Sequence, residues 1–367
     1  MNILGLATQD KSLAAITEKV IHGERLTLED GVTLFNSNDL LTIGQLANHV
    51  NQQKNGDNVY FVQNMYINPT NVCEANCRFC AFRRDIDEEG AYTMSMDELL
   101  HYVGSRFTSG IREFHIVGGH NQHQKFDYYL DTVRTLKKAY PQVAIKAYTG
   151  AEIEFFSRIA GLSFREVLQE LIKAGLDTMP GGGAEILTER YREKMSPEKA
   201  STDDWLRAHQ TAHELGLKTH ATMLYGSIET FEERVIHMLR VRELQDQTNG
   251  FMVFIPLAIQ PMKASAGIKR RTSAFDDLKT MAISRLMLDN VQHMKAYFIN
   301  IGTQLTQIAL TMGSSDVHGT LVEERISHAA GALTQAGLTV EELVWLVQGA
   351  GKKALERDTF YNVIKEY

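Results

Sequence analysis

The chain has 367 residues, 44% hydrophobic and 23% charged, and its 38 Lys and Arg against 45 Asp and Glu give a formal charge of −7. That composition excludes a disordered or fibrous chain, and the acidic balance argues against a general nucleic-acid or anionic-membrane binder, which needs a basic face. Three cysteines exclude a disulfide scaffold, because an odd number cannot all pair within one chain. Apolar periodicity through Leu13, Ile16 and Val20, then Leu28, Val32, Phe35, Ile43 and Leu46, predicts an N-terminal helical extension over residues 1–55. From Val59 short apolar runs alternate with amphipathic stretches, the pattern of βα units around a parallel sheet. Strands are predicted over 60–68, 113–117, 144–148, 178–179, 218–224 and 251–257, and helices over 95–109, 126–139, 163–174, 201–215 and 230–248. A helix over 275–293 and strands over 297–300 and 309–312 extend the series to seven or eight strands.

The fold class expected is therefore α/β: a (β/α) TIM-like barrel of six or more parallel strands over residues 56–310, with a C-terminal helical region over 311–367 packed on it. The longest fully apolar run, 251–259, is interrupted by Pro256 and falls far short of the ~20 residues that span a bilayer. The first ten residues lack the basic and apolar regions of a secretion signal, so a cytoplasmic location is expected, with no membrane and no nucleic-acid partner.

All three cysteines fall within eight residues, at Cys73, Cys77 and Cys80. Scattered small core hydrophobes would not cluster in this way. Zinc is the stronger competing reading, but a structural zinc site wants a fourth ligand, and His101 and His115 stand outside any knuckle-like spacing. Three thiolates without a fourth suit a 4Fe-4S cluster that keeps one iron open for a substrate.

In parallel barrels the site lies at the carboxyl ends of the strands, and the remaining motifs fall there. Gly118 and Gly119 end the second predicted strand, a tight turn on the bland reading and a close backbone approach to a ligand on the sharper one. Gly181, Gly182 and Gly183 end the fourth, followed by Glu185, which either hydrogen-bonds ribose hydroxyls or caps a predicted helix. Glu229 reads as a cap. His120 and His123 are weak candidates for a pocket wall or a proton donor, whereas His115, His213 and His220 read as packed side chains and Met179 and Met223 as core.

The spacing C-x3-C-x2-C, with Phe79 before the last cysteine, resembles the signature of the radical S-adenosylmethionine superfamily. The resemblance implies that Cys73, Cys77 and Cys80 hold a 4Fe-4S cluster, that the open iron chelates S-adenosylmethionine, and that Phe79, Gly118, Gly119 and Glu185 contribute to binding it. Segments from Leu28 to Ala332 look like a narrower group, the futalosine-pathway enzymes of menaquinone biosynthesis and their deazaflavin-synthase relatives. They include Ala81-Phe82 after the cysteines, Ser163 to Leu168, Ala174 to Ile186, Trp205 and Arg242 to Asp246. Within the group, Phe114 to Gly119, Ile145 to Thr149 and Phe254 to Ala258 are similar to the aminodeoxyfutalosine-forming branch. The alternative is a sister radical enzyme, either the cyclase of dehypoxanthine futalosine or a deazaflavin-synthase half, and a non-catalytic iron-sulfur or zinc protein is a more distant one. Departures at 120–123, 259–263 and 314–318 bear on substrate contacts, not on the cysteines.

The resemblance implies a transferase in which a 5'-deoxyadenosyl radical adds to 3-[(1-carboxyvinyl)oxy]benzoate, with aryl migration and loss of carboxylate as bicarbonate. S-adenosylmethionine is then a consumed co-substrate, and an electron donor such as flavodoxin or ferredoxin is required. A small substrate with two carboxylates needs cations at the site, for which Lys146, Arg78 and the run Lys269-Arg270-Arg271 are the candidates, the last reading more simply as a solvated charge run.

Overall fold

Local chemistry starts the helices. In this computed structural model, which describes residues 10–260 and 270–367, the capping boxes Ser95 with Glu98, Ser163 with Glu166 and Thr230 with Glu233 open helices Met96–Gly104, Phe164–Ala174 and Phe231–Thr248. The predicted N-terminal helices form as Ala14–Ile21, Leu28–Asn36 and Leu40–Asn55. Their buried Phe35, Ile43 and Leu46 share one core cluster with Val235 and Met287 of the barrel helices.

The strands are β1 (Asn58–Val62), β2 (Asn64–Ile67), β3 (Glu113–Ile116), β4 (Ala144–Ala147), β5 (Thr178–Met179), β6 (Lys218–Tyr225), β7 (Phe251–Ala258), β8 (His293–Met294), β9 (Asp316–Gly319), β10 (Lys353–Arg357) and β11 (Val363–Glu366). β2 to β8 form a seven-stranded sheet in chain order, parallel throughout, with helices between successive strands. This is the expected barrel of βα units, curled but not closed by its own seven strands.

Closure comes from elsewhere than expected. The single strand predicted over 60–68 divides at Gln63, and its two halves join different sheets, β1 in a four-stranded sheet ordered β11, β10, β1, β9 and β2 in the barrel. The strand predicted over 297–300 is helix Phe298–Ile301, and that predicted over 309–312 follows helix Thr303–Ala309 as a turn. The gap is instead spanned by residues 316–322, which bridge Lys295 with Asp316 on one side and Met65 with Val322 on the other, both in parallel. Residues 311–367 contain the helices Ile326–Ala329 and Val340–Gly349, and also three strands. β10 is built of Lys, Ala, Leu, Glu and Arg, all helix formers by propensity; its pairing with β1 overrides them.

Candidate functional site

The loop after β2 carries the three cysteines, and its backbone is tied on several sides. Cys73 N–H donates to the Arg84 carbonyl at 3.2 Å, Arg78 N–H to Met195 at 2.9 Å and Cys80 N–H to Cys77 at 3.0 Å. All three thiols are free and line one pocket together with Phe79. The His120 N–H donates to Cys73 Sγ at 3.2 Å. Burial pushes the Cys77 thiol up to about 12 and raises that of Cys73, while the nearby Lys199 ammonium opposes both shifts. Bound metal reverses such a shift, since a coordinating thiol is deprotonated. Among the described residues no three His, Cys, Asp or Glu side chains converge on a single ion. A cubane asks for something different, one thiolate per iron, and three free sulfurs on one pocket wall with a backbone N–H aimed at one of them fit that donor set.

Gly118 and Gly119 follow β3 against this loop. A Cβ on Gly119 would run into the Val72 carbonyl group, with Val72 C at 2.7 Å, so the residue before Cys73 packs directly on a bare backbone. The Gly118 N–H donates to Glu152 Oε1 at 3.1 Å, and Thr149 N–H donates to Glu152 Oε2 at 2.7 Å. Glu152 is buried in the pocket wall, and burial raises its carboxyl to about 7. Glu185 does not cap a helix: the next one, Glu189–Met195, starts after Thr188, and Glu185 sits in a loop at φ 48 with its carboxylate 2.7 Å from Lys199 Nζ. Lys199 in turn lies over the Phe79 ring, 5.9 Å from its centroid.

The pocket encloses about 1590 Å³, mouth included, and lies within the carboxyl ends of the barrel strands. Cys73, Cys77, Cys80, Phe79, Gly118, Gly119, Glu185 and His120 all line it. His120 stacks on Phe155 at 5.0 Å, and burial pushes its pKa down to about 3, so it is neutral. Its expected companion does not join it: His123 is exposed, outside the lining. Lys146 does not reach the pocket either, being buried beneath it in an ion pair with Glu113. Arg78, Arg270 and Arg271 are exposed and also outside the lining, Arg271 donating to the Gly331 carbonyl at 2.8 Å; Lys269 and residues 261–263 lie outside the described residues. Glu229 does not cap the helix after it, which Thr230 does; it accepts from the Gly226 and Ser227 N–H groups of the preceding loop and pairs with Arg234.

Several pocket residues escape sequence reasoning. Glu152 carried a readable signal, the capping box Thr149-x-x-Glu152, which opens the unpredicted helix Gly150–Ala160. Lys199 carried none. Tyr66, His115, His220 and His318 line the deep end, two of them read above as packed strand histidines.

The chain matches the radical SAM superfamily over residues 67–241 and the CofH/MqnC C-terminal region over residues 248–366. It is 48% identical to an aminodeoxyfutalosine synthase of Thermus thermophilus, covering 97% of both chains, and 43% identical to one of Streptomyces coelicolor, covering 96% of this chain and 94% of the relative. A cyclic dehypoxanthine futalosine synthase of Halalkalibacterium halodurans is 34% identical, covering 97% of this chain and 96% of the relative. Among solved structures, methylornithine synthase (PylB) aligns with a TM-score of 0.72 at 18% identity, covering 92% of this chain and 96% of that one, a likeness of fold. The chain therefore belongs to the radical SAM superfamily, in the group that carries the CofH/MqnC C-terminal region.

Proposed function

We propose that this chain is an aminodeoxyfutalosine synthase. It would consume S-adenosylmethionine and join the 5'-deoxyadenosyl group to 3-[(1-carboxyvinyl)oxy]benzoate, with aryl migration and loss of carboxylate as bicarbonate, in menaquinone biosynthesis. The observation that carries this reading is end-to-end identity with two aminodeoxyfutalosine synthases, well above that with the cyclase. Cys73, Cys77 and Cys80 would hold a 4Fe-4S cluster, supported by three free thiols on one pocket wall. When bound, that cluster supplies the electron that splits S-adenosylmethionine. An external donor such as flavodoxin or ferredoxin would replenish it.

The chain's own residues have binding and shielding tasks. Glu152, with Gly118 and Gly119 beside it, offers acceptors to the methionine ammonium group. The Lys199 and Glu185 pair offers a cation to the methionine carboxylate and an acceptor to ribose hydroxyls, next to Phe79. Ile255, Leu257 and Phe82 give the wall apolar stretches that keep water from a reactive radical. Among the described residues no helix is long and apolar enough to cross a membrane, in keeping with a cytoplasmic setting.

The test is anaerobic incubation of the reconstituted, reduced enzyme with S-adenosylmethionine and the carboxyvinyloxy-benzoate. A product whose mass retains adenine covalently is expected. Free 5'-deoxyadenosine, together with cyclisation of dehypoxanthine futalosine when that compound is supplied, would replace the synthase with the cyclase.

A further inference from the structure

Four strands build the floor of the pocket. Tyr66 of β2, His115 of β3, His220 of β6 and His318 of β9 line it. Strand side chains repeat their direction every second residue, so Glu113 lies beneath His115; Asp316 and His318, the latter at φ 75, are brought together by Lys295, which reaches both. Three cations share that lower layer. Lys146 of β4 pairs with Glu113, and Lys295 Nζ lies 3.7 Å from Asp316 Oδ1. Arg357 of β10 donates to Asp316 Oδ2 through Nε at 3.0 Å and Nη2 at 2.7 Å. None of these five side chains is more than 1% exposed.

With all three cations protonated, three against two carboxylates leave a surplus positive charge, and such a charge is costly unless an anion answers it or Lys295 gives up its proton. Asp316 is already saturated, accepting also from Tyr361 Oη at 2.8 Å and the His318 N–H at 2.6 Å. The remaining pocket carboxylate at this end, Glu324, is held by His328 Nδ1 at 2.8 Å and the Ser327 N–H at 2.9 Å. A protonated lysine can only donate, so Lys295 at 3.1 Å from His318 Nδ1 makes that nitrogen the acceptor. His318 Nε2–H then donates to Tyr66 Oη at 2.7 Å, and Tyr66 also shares a side-chain hydrogen bond with Tyr297 of the same pocket; with Tyr297 as the donor of that bond, the Tyr66 hydroxyl hydrogen is left for a further partner. His115 Nδ1 and His220 Nε2 are buried polar atoms without a protein partner. Tyr66 and His115 also stack at 4.3 Å, an aromatic wall at this end.

We infer that the deep end of the pocket is a carboxylate-binding site, where Tyr66, His115 and His220 hold one carboxylate of an aromatic acid above the buried cationic layer. The inference rests on the proposed activity and assigns the aryl carboxylate, the one remote from the reacting vinyl group, to the floor. His115 lies in β3 three residues before Gly118, which follows that strand against the cysteine loop, so the chain between floor and cysteine end spans at most roughly 10 Å. That distance accommodates an aromatic ring between an end carboxylate and the reacting carbon. Burial pushes the Lys295 ammonium down to about 7, and a carboxylate seated above it would hold it charged.

Benzoate and benzamide are the probes, titrated calorimetrically into the reconstituted holoenzyme. Benzoate is expected to bind at least ~10-fold more tightly than benzamide, and Tyr66→Phe and His220→Asn each to weaken benzoate about 10-fold while leaving benzamide unchanged. Iron-sulfur absorbance and cleavage of S-adenosylmethionine without a second substrate certify that each variant is folded, and Tyr66→Phe keeps its ring packing. A wild type that does not distinguish the two probes, or two folded variants that bind benzoate as the wild type does, would overturn the inference. A wild type that binds benzoate selectively yet forms no adenine-containing adduct upholds the site and overturns the proposed activity instead.

Discussion

The two ends of the pocket are built in opposite ways. The cysteine end is local: three thiols within eight consecutive residues, on one loop after one strand. The floor draws on residues from Tyr66 to Arg357, brought together only because residues 316–322 complete the ring of strands. Chemistry that must bind a large inorganic group concentrates its ligands, whereas recognition of a small anion is spread over the barrel and leaves no motif behind.

Four perturbations sharpen that contrast. The largest effect is expected at the local end: replacing Cys73, Cys77 or Cys80 by alanine should abolish both visible iron-sulfur absorbance and cleavage of S-adenosylmethionine, and a variant that still turns over would refute the ligand assignment. At the floor, Lys146→Met takes from the buried Glu113 its direct ion-pair partner, leaving only the more distant Arg357 and Lys295 charges, and a loss of about 3 kcal/mol in urea unfolding is expected. Adding Glu113→Gln should recover most of it, whereas a catalytic lysine would lose activity without such recovery. Gly119→Ala drives a methyl group into the Val72 backbone and should cost about 1–3 kcal/mol along with iron content. Gly118→Ala meets nothing nearer than Thr70 O at 3.1 Å and should be clearly milder; equal losses would mean that close packing on the cysteine loop is not the reason for the second glycine.

Acid sensitivity at two buried histidines outside the pocket lining is expected to be no larger. His237, whose Nδ1 accepts the Leu187 N–H, and His293, stacked on Tyr361 at 3.8 Å, are both pushed down to about 3 by burial. The unfolded chain therefore binds protons first, and the stabilisation is fully present above the ordinary value of 6.5 and is lost as pH falls toward the folded one. About 2 kcal/mol per histidine should be gone at pH 5. Unfolding midpoints at pH 7 and 5 for His237→Phe and His293→Phe, each compared with wild type, read the two terms separately. A pH dependence unchanged in both variants would contradict the assignment.

The cysteine loop and the βα alternation were legible because each is written in consecutive residues. Gly118, Gly119 and Glu185 were legible as positions, since they follow strand ends, although Glu185 proves to be a loop residue paired with Lys199 and not a helix cap. His123 and Lys146 were misleading for one reason: nearness in sequence to a strand end does not say whether a side chain faces the pocket, the solvent or the layer below. The barrel's closing segment was hidden because β9, Asp-Val-His-Gly, has neither the length nor the apolar run of a predicted strand. His220 and His318 were hidden with it, since their role depends on what stands across the barrel and not on what stands beside them in the chain.

One measurement joins the two ends: the partition of consumed S-adenosylmethionine between adenine-containing adduct and free 5'-deoxyadenosine, at subsaturating carboxyvinyloxy-benzoate. Wild type is expected to form mainly adduct. His220→Asn should still consume S-adenosylmethionine, because its cysteine end is intact, but should release mainly free 5'-deoxyadenosine. An unchanged partition in that variant would contradict a pocket in which one end generates the radical and the other holds the substrate for it.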